Sequence, residues 1–245
     1  MTRLALTALA TLALGTGCYV DNGSTGPRTG TGTLDLAWQF RGSDGLVAGH
    51  WTAADSGCDA AVITDVDLSL IDGGGARILF QNYPCQESGT GLPRAYASGL
   101  PSGRFSYLAT AYRQGSPVFT DNGSIVISDG LVTSVDATLD VVSPAPLTVY
   151  FDQRGSLTCN GTPNVRYDLF TAGGTLIETR TLACDPVSGG FTVTADQPTG
   201  FTYQLDLYAI DGAGRSVNEM CRVNVVHDGF PVLIDLLQAP QPSCG

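Results

Sequence analysis

Lysine is absent from this 245-residue chain; all 12 basic residues are arginine. A chain without lysine forms no Schiff base, has no phosphate-loop lysine and has no lysine general base. Histidine is scarce, with only His50 in the polar stretch 47–51 and His227 just before Asp228-Gly229. Glutamate occurs only at Glu87, Glu178 and Glu219, in no spacing that pairs them for acid–base work. Neither a G-x-S-x-G elbow nor an H-E-x-x-H run is present. Charged residues make up 14% of the chain and the net charge is −11. Without basic clusters to displace counterions, neither nucleic acid nor charge-driven adsorption to anionic lipid is expected. No segment after residue 18 keeps a helical period. The expectation is a protein that is not an enzyme and carries no cofactor.

What is present is glycine, 31 residues of it, and seven cysteines that divide as one plus six. Residues 1–17 read as an export signal: Arg3 gives the positive start, and Leu4 to Leu14 an apolar run too short to span a bilayer. The stretch Leu14-Gly-Thr-Gly-Cys18 resembles a bacterial lipobox, which implies lipid attachment at Cys18 and a membrane partner. The other reading is an ordinary secretory signal cut near Gly17, with Cys18 left as a thiol. Tyr19, with no acidic residue beside it, leans toward outer-membrane sorting within the cell envelope. Residues 18–32 are Gly-, Ser- and Thr-rich and read as a flexible tether.

The remainder reads as one plan written twice, residues 33–142 and 147–245, joined by the proline-containing linker 143–146. Leu34-Asp-Leu-Ala-Trp-Gln-Phe40 puts Leu34, Leu36, Trp38 and Phe40 on one strand face, and Leu147-Thr-Val-Tyr-Phe151 repeats the alternation. Tyr150 falls on the outer face of that second strand. Val66-Asp67-Leu68 matches Tyr167-Asp168-Leu169, and the turn Asp72-Gly-Gly-Gly75 matches Ala172-Gly-Gly174. Both copies close with an apolar strand after Asp-Gly, at Asp129-Gly130 and Asp228-Gly229. Many short strands with turn signals between them predict an all-β protein of two tandem β-sandwiches.

Cysteine spacing fits the repeat. Cys58 and Cys85 lie almost symmetrically about the turn at Asp72, and Cys159 and Cys184 about the turn at Ala172. Each pair is placed to close the open end of a hairpin. Cys221 and Cys244 remain and are paired by elimination. No two cysteines have the close spacing of a structural zinc site. The stretch Gly99-Leu-Pro-Ser-Gly-Arg-Phe-Ser-Tyr107, with Gln197-Pro-Thr-Gly-Phe-Thr-Tyr203 in the second copy, resembles a strand start of carboxypeptidase-regulatory-like and CnaB-type domains. That resemblance implies Ig-like or prealbumin-like sandwiches. The isopeptide bond of some CnaB domains needs lysine, so disulfides are the staple left to this chain.

Three readings of function follow. The first is a lipid-anchored, non-enzymatic envelope protein with a structural or protein-interaction role, whose partner is an unknown envelope protein or glycan. The second is a carbohydrate- or calcium-binding surface module: Trp51 has no counterpart in the second copy, while Asp65, Asp67 and Asp72 could offer carboxylates to calcium. The third is a secreted hydrolase whose carboxylates come together only in the fold. His50 and His227 are read as ordinary loop and turn histidines, and Trp38 as core.

Overall fold

In a computed structural model of the protein, residues 30–45, 47, 57–85, 93–152, 163–183, 190–192, 196–235 and 244 are described. The first body contains β1 (Thr31–Arg41), a short helix α1 (Gly57–Ala61), β2 (Asp65–Asp72), β3 (Arg77–Pro84), β4 (Arg94–Pro101), β5 (Gly103–Arg113), β6 (Ser116–Ile127) and β7 (Val132–Val141). The second contains β8 (Thr148–Asp152), β9 (Asn164–Thr171), β10 (Leu176–Ala183), β11 (Gly190–Thr192), β12 (Phe201–Ile210), β13 (Ser216–His227) and β14 (Val232–Asp235).

The repeat is visible in the strand order. The first body is one sheet, β3-β2-β5-β6-β7-β1-β4; the second is two sheets, β10-β9-β12-β13 and β11-β8-β14. Strand for strand the sequence of neighbours is the same. The parallel pairs correspond as well, β1 with β7 and β8 with β14, while the other pairings are antiparallel. The all-β plan in two bodies is as expected, but the first body is not the expected Ig-like or prealbumin-like sandwich of two sheets. Phe119 and Thr120 of β6 pair with Val141 and Asp140 of β7, so the first body runs as one continuous sheet curled nearly into a barrel. In the second body the stretch corresponding to Asp140 and Val141 lies beyond Asp235, outside the described residues.

Alternation explains both cores. Leu34, Leu36, Trp38 and Phe40 are fully buried, and Val66, Leu68, Leu70, Phe105 and Leu139 meet them from three other strands. The second core gathers Leu147, Val149, Tyr167, Leu169, Leu205 and Val225. Burying each such side chain contributes about 1.5–3 kcal/mol. The hairpin turns share one device: an oxygen at the first position accepts backbone N–H groups, and a glycine takes positive φ. Asp72 Oδ1 accepts from Gly74 and Ala76 at 2.9 Å each, with Gly75 at φ 83°. Thr171 Oγ1 accepts from Thr175 and Gly174 stands at 82°; Asp211 Oδ1 accepts from Ala213 and Arg215, with Gly214 at 79°. Only glycine adopts that backbone without strain.

Two disulfides join described residues. Cys58 and Cys85 have Cα atoms 5.6 Å apart, and Cys221 and Cys244 are 5.4 Å apart. The first is anchored from the helical turn α1, not from a strand: Cys85 N–H extends the hairpin ladder to Thr64 O, and α1 folds Cys58 over that open end. Cys159 and Cys184 lie outside the described residues.

Candidate functional site at the junction of the two bodies

Strand β5 ends in Arg113, and the left-handed pair Gln114 (φ 50°) and Gly115 (φ 81°) turns the chain back into β6. The Arg113 side chain is fully buried. Its Nε and Nη2 donate to Ala61 O at 2.9 and 2.6 Å, Nη2 also donates to Gly229 O at 2.7 Å, and Nη1 reaches toward Thr148 Oγ1 at 3.4 Å. One guanidinium thus ties α1 of the first body to β8 and to the β13–β14 connection of the second. Burial pulls its pKa down to about 10, and Tyr150 and Asp228 work against that shift. It stays charged at neutral pH.

Beside it, the β13–β14 connection enters the first body. Phe230 belongs to the first core, its ring 5.4 Å from Phe119, which stands 5.0 Å from Phe40. Gly229 has φ 100°, and the Val141 side chain fills the place where a Cβ would stand. Ser43 N–H donates to Asp228 O at 3.0 Å. The 143–146 linker is drawn in too: Ala145 is buried and exchanges two backbone hydrogen bonds with Gln197.

His227 is the second sealed cation-former here. It is fully buried, with Nε2 donating to Ala145 O at 3.0 Å, while Nδ1 meets no hydrogen-bond partner among the described residues. Burial holds its pKa below 6.5, with the Arg113 charge adding in the same direction. Both groups are closed off from solvent, so neither can exchange a proton with a bound ligand. Together they make a closed, hydrogen-bonded joint.

The structure revises three readings made from sequence. His227 does adjoin a turn, but its ring faces inward. Tyr150 was placed on an outer face; that face of β8 is the junction, with Thr148 buried against Arg113. The carboxylates suggested for calcium are turned onto protein donors. Asn82 Nδ2 bridges Asp65 and Asp67 at 2.9 Å each, and Asp72 caps its own turn. Trp38 is core. Cys18, His50 and Trp51 lie outside the described residues. Among the described residues, one metal-like triad appears, Glu219 with Cys221 and Cys244, and its sulfurs are already joined to each other. Arg113, Gly229 and Phe230 had no motif to mark them. The only signal was the inward register Val223, Val225, His227 running on to an apolar Phe-Pro.

The second body carries a further cluster on the outer face of its four-stranded sheet. Asp168 and Asp206 stand directly across β9 and β12, both nearly covered. Arg166 Nη2 reaches Asp168 at 2.8 Å while its guanidinium lies over Tyr208. Arg222, at φ 52° in a bulge of β13, donates its backbone N–H to Asp206 at 2.6 Å and stacks 3.9 Å from the Phe170 ring. The equivalent first-body positions are Asp65, Asp67, Thr110 and Tyr112, a lighter network with no arginine.

No family model and no curated protein matches the chain. Solved structures do resemble it at a distance. A fimbrial assembly protein from Parabacteroides distasonis is 12% identical at TM-score 0.38, with 84% of this chain and 90% of that one covered. The fimbrial anchor protein Mfa2 from Porphyromonas gingivalis is 9% identical at TM-score 0.35, with 78% and 82% covered. The Bacillus anthracis TIE protein is 12% identical at TM-score 0.30; the match takes in 84% of this chain and 33% of that protein.

Proposed function

We propose that this protein is an exported, non-enzymatic structural module of the cell envelope, attached by lipid at Cys18. Its two β-sheet bodies, residues 33–142 and 147–245, act as a stiff spacer presenting its outer faces to a surface partner. The observation that supports this best is the junction. A duplicated body locked end to end by a buried guanidinium and an inserted phenylalanine transmits position and force, and does not open around a substrate. The disulfides support an oxidising compartment. Outer membrane is the preferred location, and fimbrial subunits are the first partner class to try. Fractionation of cells carrying Cys18→Ala is the test. The parent chain is expected with membranes and the variant in the soluble fraction; unchanged partitioning contradicts the anchor.

A further inference from the structure

We propose that Val126, Leu131 and Val132, at the β6–β7 connection, form a face that rests on the lipid surface, so the first body stands on the membrane with the second held away from it. This rests on the lipid-anchor reading of Cys18. The three side chains are 52%, 61% and 56% exposed; Leu131 lies in the four-residue connection 128–131, and Val126 and Val132 stand on either side of it. Thr133 Oγ1 donates to Val126 O at 3.0 Å, which sets Val126 beside the start of β7, and grouped exposed aliphatics mark contact surfaces more often than scattered ones do.

The position of the face argues for lipid. The first residues of β1 are stitched to this turn. Gly130 N–H donates to Thr31 O at 2.9 Å, Thr33 N–H to Leu131 O at 2.9 Å, and Thr31 N–H to the Asp129 carboxylate at 3.1 Å. The chain from Cys18 therefore joins the body here. Thr31 follows Cys18 by 13 residues in sequence, and a tether of the length and Gly-, Ser- and Thr-rich composition expected there would hold the face at about millimolar effective concentration beside the bilayer. A contact too weak to recruit a free protein is then populated. Charge does not oppose it locally: Arg104 is the register partner of Val126, and the Asp129 carboxylate is turned onto Thr31.

Register sets the direction. Gly103 pairs with Ile127 at this end of β5 and β6, and Arg113 pairs with Ser116 at the other. The face is thus at the opposite end of the first body from the junction. The equivalent connection in the second body inserts Phe230 into a neighbour's core. A second copy fits the face poorly, because the socket is not repeated. Asp65 pairs with Tyr112 and Arg166 with Tyr208, so Ala209 stands where the first body has Arg113.

The test uses the full chain with its anchor in phosphatidylcholine vesicles containing lipids brominated in the acyl chain. Leu131→Trp is compared with Val217→Trp, an exposed site in the second body. The Leu131→Trp emission should shift to the blue and be quenched about twofold more than that of Val217→Trp, and adding Val126→Ser with Val132→Ser should erase the difference. Equal quenching at both sites overturns the proposal, as does a vesicle-independent dimer broken by the same serines. Repeating the measurement with residues 18–245 coupled through Cys18 to a maleimide lipid separates the two readings. Quenching there with a native chain that is not membrane-bound refutes only the anchor; no quenching there refutes the face.

Discussion

Ser128-Asp129-Gly130-Leu131 and Asp228-Gly229-Phe230-Pro231 make the same connection, between the same two strands, in two copies of one plan. Their fates are opposite. Leu131 points into the open beside Val126 and Val132, and a Cβ on Gly130 would meet nothing within reach. Phe230 is buried among Phe119 and Phe40, and a Cβ on Gly229 would strike Val141. The strand plan therefore does not fix what a connection does; the neighbour on that side does. The second connection has a folded body before it in sequence; the first adjoins the start of β1 at Thr31.

Matched substitutions test that contrast most sharply. Phe230→Ala should cost about 3–5 kcal/mol of stability, because it leaves a cavity in the first core and removes the joint's anchor. Leu131→Ala should stay within about 0.5 kcal/mol, as exposed positions do. Urea unfolding of the two variants, side by side, measures both. Similar costs would mean the two connections are equally buried in solution.

Arg113→Met comes next. It keeps length and apolar stem but leaves the Ala61 and Gly229 carbonyls without their charged donor, at about 2–3 kcal/mol. Its signature is separation: calorimetry should show one transition in the parent and two in the variant. A single shifted transition would mean the bodies remain coupled without the guanidinium.

The smallest effect is the dependence on acid. His227 has a pKa in the folded state below its ordinary 6.5. At pH above about 6.5 neither state binds the proton and this group adds no slope. Below it the unfolded chain takes up the proton first, so stability falls as pH drops toward the lower folded value, by up to about 1.4 kcal/mol per pH unit. Asp140 and Asp211 both have pKa values lowered from 3.8, so they contribute only at more acidic pH. His227→Gln should flatten the curve between pH 6.5 and the carboxylate range, read from chemical unfolding midpoints. A parent curve already flat there would remove His227 from the junction's electrostatics.

The strands, the duplication and the inward faces were legible in the sequence because they rest on local rules. Two-residue alternation places Leu34 to Phe40, and an Asp or Thr ahead of a left-handed glycine sets the hairpins. Hairpin symmetry likewise put Cys58 and Cys85 within reach of each other, although α1, not a strand, supplies Cys58. The junction was not legible. Arg113 reads as the polar end of a strand, and only the tertiary arrangement brings Ala61, Thr148 and Gly229 around it. Tyr150 shows the same limit, since alternation names an outer face without saying what covers it. The curl of the first body into one continuous sheet depends on two residue pairs at the far ends of β6 and β7, beyond any local pattern.

The central claim is that the two bodies are one rigid unit joined at Arg113, His227 and Phe230. Pulsed-resonance distances between spin labels placed on unnatural residues at the exposed positions Ser106 and Asn224 test it most directly. A single narrow distance distribution is predicted for the parent, broadening in Arg113→Met. A broad distribution in the parent, unchanged by that substitution, would contradict the account.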